Sequence, residues 1–231
     1  MTGTAISQRT AVVTGASRGL GLALTSGLVA AGWHVVADAR DGDALRSALG
    51  DLEPSVDLVA GDVTDPAHRA ELVARAGGRI DLVVNNAGGL GPSPLPALDA
   101  VDLDAVAALF RTNVIAPLGL VQAAIPHLAP DAVVVDITSD ASVEAYEGWG
   151  VYGLTKAALD HLGAVLAVEH PELRVLSVDP GDLRTEMHQA AFPGEDISDR
   201  PRPESIVPAI LALIDGDHPS GRYRAKEVVS A

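Results

Sequence analysis

The chain has 231 residues, with 31 Asp and Glu against 16 Lys and Arg, so its formal net charge is −15 at pH 7. This acidic excess argues against a nucleic-acid-binding protein, because a surface that binds phosphates needs basic residues. The sequence contains no Cys, which excludes disulfides, thiolate nucleophiles and thiolate metal sites, so any redox chemistry must come from a cofactor.

The composition and the N-terminal segment predict one α/β domain over residues 1–231. Hydrophobic residues make up 48% of the chain and aromatic residues 3%, which is typical of buried parallel strands flanked by closely packed helices. The first ten residues, MTGTAISQRT, contain no apolar segment of a signal peptide. No stretch reaches the roughly 18 uninterrupted apolar residues of a membrane span. We therefore expect a cytoplasmic protein without a membrane partner.

Short apolar runs alternate with helix-length segments along the chain. Strands, each buried on both faces, are predicted over residues 11–14, 35–37, 56–60, 82–85, 133–137 and 175–178. Helices are predicted over residues 20–31, 67–76, 103–128, 152–169 and 204–214, and a last edge strand over 222–229. This alternation predicts a doubly wound Rossmann fold, with a mostly parallel sheet of about seven strands and helices on both faces.

Local signals mark several boundaries of these elements. Asp65 and Pro66 are typical of the N-cap and the first position of a helix, and Gly32 follows the first helix as a C-terminal cap would. Two turn-rich loops, residues 88–96 and 193–203, have the length of loops that shape a binding site.

The first strand runs directly into the sequence TGASRGLG at residues 14–21. Gly15 permits a tight turn, and Gly19 and Gly21 let the backbone approach a pyrophosphate at the start of the following helix. Many α/β proteins contain a glycine-rich turn at this place, so the motif alone favours a dinucleotide site only slightly.

The glycine spacing, with three residues between Gly15 and Gly19, resembles that of the short-chain dehydrogenase/reductase family. Further family segments follow in order: Asp62-Val63, the NNAG segment at residues 85–88, and a PGxxxT segment that starts at Pro180. The resemblance implies a catalytic tetrad of Asn113, Ser139, Tyr152 and Lys156. It also implies cofactor contacts from Thr14, Gly15, Ser17, Arg18, Gly19, Leu20, Gly21, Arg40, Asp62, Val63, Asn86, Ala87, Gly88, Tyr152, Lys156, Pro180, Gly181, Leu183 and Thr185.

Tyr152 and Lys156 are four residues apart, so they lie one turn apart on one helix face. A unit charge about 4 Å from a phenol stabilises the phenolate by ~4 kcal/mol at an effective dielectric constant near 20. We therefore expect Lys156 to lower the pKa of Tyr152, which would act as general acid in reduction and general base in oxidation. A Tyr and a Lys at this spacing usually form only a solvated helix face.

Two further side chains complete the predicted catalytic set. Ser139 follows an apolar strand and is expected to donate a hydrogen bond to the substrate oxygen, although it would also suit a simple turn. Pro117 cannot donate to the carbonyl of Asn113, and the resemblance implies a water held there that reaches towards Lys156. No G-x-S-x-G sequence surrounds Ser139, so a serine hydrolase is disfavoured.

The end of the second strand bears on the choice between NADP(H) and NAD(H). Counted from Gly32, the resemblance to the family places the position that selects NAD(H) at Ala39 and puts Arg40 next to it. A guanidinium at Arg40 can bind a 2′-phosphate, and Arg18 could bind it from the glycine turn. NADP(H) is therefore favoured. Asp38 stands one residue before the selecting position; if the strand end shifts by one residue, its carboxylate could bind the ribose hydroxyls, so NAD(H) stays possible. Alternatively, Arg40 pairs with Asp41 or Asp43 on the surface.

The substrate pocket is expected to take a small carbonyl or alcohol compound and to include residues 89–95, 140–149 and the loop after Thr185. His188 in that loop is a candidate for a further acid or base, but a lone histidine in a loop is more often solvent-facing, so we expect it to face solvent. The seven His residues show no metal-binding spacing, so no metal is predicted.

The apolar faces of the two long helices predict a homodimer or homotetramer, although the chain lacks the Asp-Gly-Gly ending frequent in the family.

Two other classes of function stay open. A nucleotide-binding regulator would bind the cofactor without turnover, and a methyltransferase would have no use for Tyr152 and Lys156.

Overall fold

The computed structural model describes residues 8–228. Its strands are β1 (Thr10–Val13), β2 (His34–Ala39), β3 (Val56–Ala60), β4 (Ile80–Asn85), β5 (Leu128–Ile137), β6 (Arg174–Asp179) and β7 (Gly221–Arg224). They form one sheet in the order β3-β2-β1-β4-β5-β6-β7, and every neighbouring pair is parallel. The predicted Rossmann fold is confirmed. The strand order reverses between β1 and β4, and such reversals open a crevice at the carboxyl ends of the strands.

Helices cover both faces of the sheet. They are α1 (Gly19–Ala30), α2 (Gly42–Leu49), α3 (Pro66–Arg75), α4 (Leu103–Phe110), α5 (Ala116–Ala124), α6 (Gly150–Glu169), α7 (Glu186–Ala191), α8 (Val207–Asp215) and α9 (Ala225–Val228). Apolar residues of α1, α2 and α8 form one core with the sheet, whereas α3, α5 and α6 pack on the opposite face. In β1, Ala11 and Val13 face the first core and Val12 faces the second, because successive strand side chains point to opposite faces.

The helix predicted over residues 103–128 is divided into several segments. After α4 the backbone forms a π turn over Arg111–Ile115, and the amide of Ala116 donates to the carbonyl of Arg111. Pro117 explains the interruption, because it has no amide to donate and clashes with the preceding turn. A 3₁₀ turn over Ile125–His127, which contains Pro126, ends the segment. The next strand, β5, therefore begins at Leu128, five residues before its predicted start at Val133.

Other local predictions have mixed outcomes. Asp65 caps α3 and accepts a hydrogen bond from the amide of Ala67, with Pro66 in the first turn, as predicted. Gly32 adopts a positive φ of 86° just after α1, which fits its predicted capping role. The strand predicted over residues 222–229 is too long, because β7 ends at Arg224 and α9 follows; Val229 lies outside the described residues. The helices α2 and α7 were not predicted.

Two helical segments are long and apolar enough to cross a membrane by length and composition alone, Leu103–His127 and Gly150–Glu169. Both place side chains in the buried layer against the sheet, and core helices have this same composition. Length and composition alone are weak evidence for a membrane span. The expectation that the protein has no membrane partner stays a prediction.

Candidate active site

An open cleft of about 1260 Å³ lies at the carboxyl ends of the central strands. Most of the predicted cofactor residues line it: Gly15, Ser17, Arg18, Gly19, Leu20, Arg40, Asp62, Val63, Asn86, Ala87, Gly88, Tyr152, Lys156, Pro180, Gly181, Leu183 and Thr185. Ser139 also lines the cleft, whereas Thr14, Gly21 and Asn113 are not part of its lining. The structure therefore brings together segments that are dispersed along the sequence.

Thr14 and Gly21 support the glycine turn from below. The hydroxyl of Thr14 accepts hydrogen bonds from the amides of Asn86 and Ala87, both at 3.0 Å, and so joins the turn to the end of β4. A Cβ atom on Gly21 would lie 2.2 Å from the carbonyl oxygen of Gly15, so the backbones approach too closely for any side chain there. This close approach leaves the start of α1 at the floor of the cleft.

The N-terminus of α1 is suited to an anion. Arg18 occupies the N-cap position but makes no side-chain capping hydrogen bond, and the first turn contains no acidic residue. The first amides of a helix have no partner within the helix and carry a partial positive charge. A phosphate group in the cleft would satisfy them.

A buried pair that the sequence did not predict fixes the glycine turn to β2 and α3. The carboxylate of Asp38 accepts a hydrogen bond from the amide of Gly15 at 2.7 Å, and its second oxygen lies 2.9 Å from Nε2 of His68. The hydrogen bond to Asp38 raises the pKa of His68. Because only 2% of the Asp38 side chain is exposed and each of its oxygens already has a partner inside the fold, Asp38 is poorly placed to select NAD(H), and that alternative loses support.

The two predicted phosphate-binding arginines differ in their surroundings. Arg40 is exposed at the edge of the cleft. No ion pair joins it to Asp41 or Asp43 within residues 8–228, and Asp41 instead caps α2. The backbone amide of Thr64 chiefly lowers the pKa of Asp62, and the charge of Arg40 lowers it further. Arg18 is paired with Glu186 at 2.5 Å, across the cleft mouth, and both side chains are largely exposed.

Tyr152 and Lys156 share the buried face of α6, as predicted. The Nζ atom of Lys156 lies 5.6 Å from the centroid of the Tyr152 ring and donates a hydrogen bond to the carbonyl of Ile137 at 2.7 Å. Both side chains are more than nine-tenths buried. The ammonium is thus held between α6 and the end of β5, next to the phenol.

The expected lowering of the Tyr152 pKa is wrong. Burial raises the pKa of Tyr152, the charges of Asp179 and Asp140 raise it further, and only a hydrogen bond with Ser139 lowers it. Burial also lowers the pKa of Lys156 to about 8, against the opposing charges of Asp136 and Asp160. Desolvation is the largest effect on both groups, because it disfavours the phenolate of Tyr152 and the ammonium of Lys156.

Ser139 begins a 3₁₀ turn at the end of β5. Its hydroxyl donates to the carboxylate of Asp140 at 3.0 Å and accepts from the amide of Ala141 at 3.3 Å. The Ser139 side chain also lowers the pKa of Tyr152, which indicates that its hydroxyl lies close to the phenol. A substrate oxygen placed between the two groups would replace Asp140 as the acceptor of the serine proton and would also meet the phenol.

Asn113 lies behind the cleft, within the π turn. Its side chain accepts a hydrogen bond from the amide of Gly89 and donates to the carbonyl of Gly89, each at 2.9 Å. It also donates to Thr155 on α6 at 3.0 Å. Asn113 therefore fixes the segment after β4 against the helix that carries Tyr152. The water relay through its carbonyl stays a prediction.

A row of polar residues crosses the sheet beneath α6 and was not predicted. Asn85, Asp136 and Ser177 are register partners on β4, β5 and β6. Asn85 donates to Asp136 at 2.7 Å, while the second oxygen of Asp136 is buried without a partner. Burial raises the pKa of Asp136 to about 6. The only sign of this row in the sequence was the presence of a polar residue in each of the apolar strands β4, β5 and β6.

The remaining cofactor segments hold their backbones through local turns. Asp62 accepts from the amide of Thr64 at 2.8 Å, and Asp179 accepts from the amide of Gly181 at 2.9 Å. Thr185 caps α7 by accepting from the amide of His188. These contacts give the loops after β3 and β6 a fixed shape along the cleft.

An aromatic wall adjoins Tyr152 on the predicted substrate side. Trp149 makes an edge-to-face contact with Tyr152, with ring centroids 5.7 Å apart, and also contacts Phe192. His188 packs on Phe192 at 4.9 Å, and only 9% of its side chain is exposed. The expectation that His188 faces solvent is therefore wrong, because α7 turns it inwards.

No group of three His, Asp or Glu side chains within residues 8–228 is arranged to hold a metal ion. The spacing of the seven His residues in the sequence had likewise predicted no metal site. A site without a metal remains a prediction.

The fold and this site define a dinucleotide-dependent oxidoreductase. The family model for short chain dehydrogenases matches residues 9–196, and the chain belongs to the short-chain dehydrogenase/reductase family, whose members act on CH–OH and C=O groups with a nicotinamide cofactor. Sepiapterin reductase of Meriones unguiculatus is 37% identical over 200 residues, which cover 78% of this chain and 76% of that protein.

Two solved structures illustrate the similarity of fold. A short chain dehydrogenase from Shigella flexneri, complexed with NADP, is 27% identical with a TM-score of 0.87, and the match covers 94% of this chain and 97% of the other. A short chain dehydrogenase from Escherichia coli, complexed with NADPH, is 28% identical with a TM-score of 0.87. This match covers 94% of the present chain and 96% of the other chain.

Proposed function

We propose that the chain is an NADPH-preferring carbonyl reductase or alcohol dehydrogenase that acts on a small carbonyl or hydroxyl compound. The placement of Ser139, Tyr152 and Lys156 together in the lining of the cleft, with the ammonium 5.6 Å from the centroid of the phenol ring, carries this proposal. A nicotinamide cofactor, when bound, supplies or accepts the hydride.

The protein's residues provide orientation and a proton. Ser139 donates to the substrate oxygen and holds it beside Tyr152, so that the phenol can transfer its proton to that oxygen as negative charge develops there. The raised pKa of Tyr152 keeps the phenol protonated at neutral pH, which suits the reduction direction. The ammonium of Lys156 stabilises the phenolate that remains after the transfer.

The cleft fits a nicotinamide dinucleotide along its whole length. The amides at the start of α1 suit the pyrophosphate, Asp62 and Val63 border the end expected for the adenine, and the segment from Pro180 to Thr185 borders the other end. The close packing of Gly21 on Gly15 keeps side chains out of this path.

Three observations support NADP(H) over NAD(H). Arg40 is exposed at the cleft without an acidic partner on α2, and a guanidinium suits a phosphate. Asp38 is engaged with Gly15 and His68. The two structural neighbours described above are complexed with NADP and NADPH.

The test is a screen of purified protein with ketones, aldehydes, quinones and secondary alcohols, run with both cofactors and beside Tyr152→Phe. We expect turnover with NADPH and a loss on the order of 10²-fold or more in the variant, because general acid catalysis contributes that much. Binding of NADPH without turnover of any compound would instead support a regulator. Equal rates for the variant and the parent would contradict the role of Tyr152.

We also propose that the chain forms a homodimer or homotetramer. Apolar side chains are exposed on the π turn before α5 and on α6, including Ile115, Leu154 and Val168, of which 55%, 52% and 80% are exposed. A symmetric contact between copies would remove this surface from water. Light scattering should give a mass of two or four chains. The double variant Val168→Glu, Leu154→Glu should have a lower mass than the parent. A monomeric parent would contradict the proposal.

A further inference from the structure

Arg222 links three elements of the active site from the edge of the sheet. Its side chain leaves β7 and donates to the carbonyl of Ser139 at 2.9 Å. The same guanidinium contacts the carboxylates of Asp179 at 3.3 Å and Asp160 at 3.2 Å. Only 24% of the Arg222 side chain is exposed, so these contacts are largely screened from water.

The partners of Arg222 belong to separate parts of the catalytic geometry. Ser139 follows β5, Asp179 ends β6, and Asp160 lies on α6 one turn after Lys156. Asp160 also accepts a hydrogen bond from Ser142 at 2.5 Å, at the end of the 3₁₀ turn that Ser139 begins. Both ends of this turn are therefore tied to α6 through Arg222 and Asp160.

We propose that Arg222 is a positioning residue that fixes the hydroxyl of Ser139 relative to the phenol of Tyr152. This inference rests on the proposed function, in which a substrate oxygen lies between those two groups. The planar fork of a guanidinium can bind several acceptors in fixed directions, whereas the single ammonium of a lysine cannot. A displacement of about 1 Å between catalytic groups can cost on the order of 10²-fold in rate.

The charge of Arg222 has a second consequence at the phenol. The charges that face Tyr152 are those of Asp179 and Asp140, which raise its pKa, and that of Lys156. Arg222 lies beside Asp179 and offsets its charge. Asp160, its other partner, faces Lys156 together with Asp136. Removing the guanidinium would leave Asp179 unpaired and raise the pKa of Tyr152 further.

The experiment compares Arg222→Gln and Arg222→Lys with the parent, using a substrate that the parent turns over. We expect Arg222→Gln to lower kcat about tenfold or more, with a smaller change in the Kd for NADPH measured by fluorescence. The pH at which alcohol oxidation reaches half its maximal kcat/KM should rise. Arg222→Lys should lower kcat but keep the parent's pH profile, because it retains the charge and loses the fork.

Arg79→Gln is the matched control, because Arg79 pairs with Asp81 at the start of β4, away from the cleft. It should leave kcat and the pH profile unchanged. If Arg222→Gln does not fold, as judged by thermal unfolding, Arg222→Lys alone carries the test. Parent-like kcat in Arg222→Lys and in any folded Arg222→Gln would overturn the inference. A parent that turns over no compound would overturn the proposed function itself and this inference with it.

Discussion

Asp38 and His68 form a buried pair beneath the glycine turn, with Oδ2 of Asp38 2.9 Å from Nε2 of His68. The other oxygen of Asp38 accepts from the amide of Gly15, so the pair connects α3 to the cofactor cleft. A Cβ atom on Gly61 would lie 2.2 Å from the His68 ring, and only glycine there leaves room for the histidine.

We expect His68→Ala to lower the free energy of unfolding by roughly 3 kcal/mol near pH 6, because Asp38 would stay buried with one partner fewer. The pKa of His68 is raised by Asp38, so this stabilisation is complete below about pH 6.5 and is lost as pH rises through the raised pKa. Urea unfolding of parent and variant over that range measures the difference. The Kd for NADPH should increase as well.

His34→Ala provides the control for this prediction. His34 pairs with Asp57 at 3.3 Å in a partly exposed position, and such pairs contribute about 0–1 kcal/mol. Equal losses in the two variants would contradict a special role for the buried pair.

Asp136→Asn should stabilise the protein at neutral pH. The pKa of Asp136 is raised to about 6 by burial, so its contribution to stability is present below about pH 4 and is lost as pH rises through 6. Asparagine can still accept the hydrogen bond from Asn85 without a buried charge. The gain at pH 7 should be on the order of 2 kcal/mol, and it should shrink towards pH 4 in urea unfolding experiments.

The same substitution tests the surroundings of Lys156. The charge of Asp136 raises the pKa of Lys156 against the lowering by burial. Without that charge the ammonium should lose its proton at lower pH, so activity should decline earlier on the alkaline side. An unchanged alkaline limb of kcat against pH would contradict this coupling.

Arg40→Ala should reduce the preference for NADPH. A charge-assisted hydrogen bond is worth about 1.5–3 kcal/mol, so kcat/KM for NADPH should fall roughly 10- to 100-fold, whereas that for NADH should change little. Arg46→Ala is the control, because Arg46 is exposed on α2 and is not part of the cleft lining. A parent ratio of kcat/KM for NADPH over NADH near one would contradict the assignment of Arg40.

Gly21→Ala should strongly weaken NADPH binding, because its Cβ atom would meet the carbonyl oxygen of Gly15 at 2.2 Å and push the turn out of place. Overpacking of this kind costs about 1–3 kcal/mol of stability. Gly50→Ala is the control, since its nearest neighbour would be the Arg46 side chain at 3.7 Å. Thermal unfolding and NADPH titration measure both effects. Parent-like binding in Gly21→Ala would show that the turn tolerates a side chain.

The sequence predicted well the features that depend on local pattern. Buried parallel strands are runs of Val, Ile and Leu, so all six of the internal runs, such as residues 82–85, correspond to strands. The spacing of Tyr152 and Lys156 placed both on one helix face, as found. Asp65-Pro66 specified a helix start because capping involves only adjacent residues.

The tertiary structure alone decided the features that depend on burial and on contacts across the sheet. The sign of the Tyr152 pKa shift required its degree of desolvation, which no spacing reveals. The contact of Arg222 with Ser139 spans 83 positions and that of His68 with Asp38 spans 30. Local patterns specify which elements form, whereas packing of distant elements determines which polar groups lose water and which partners they then meet.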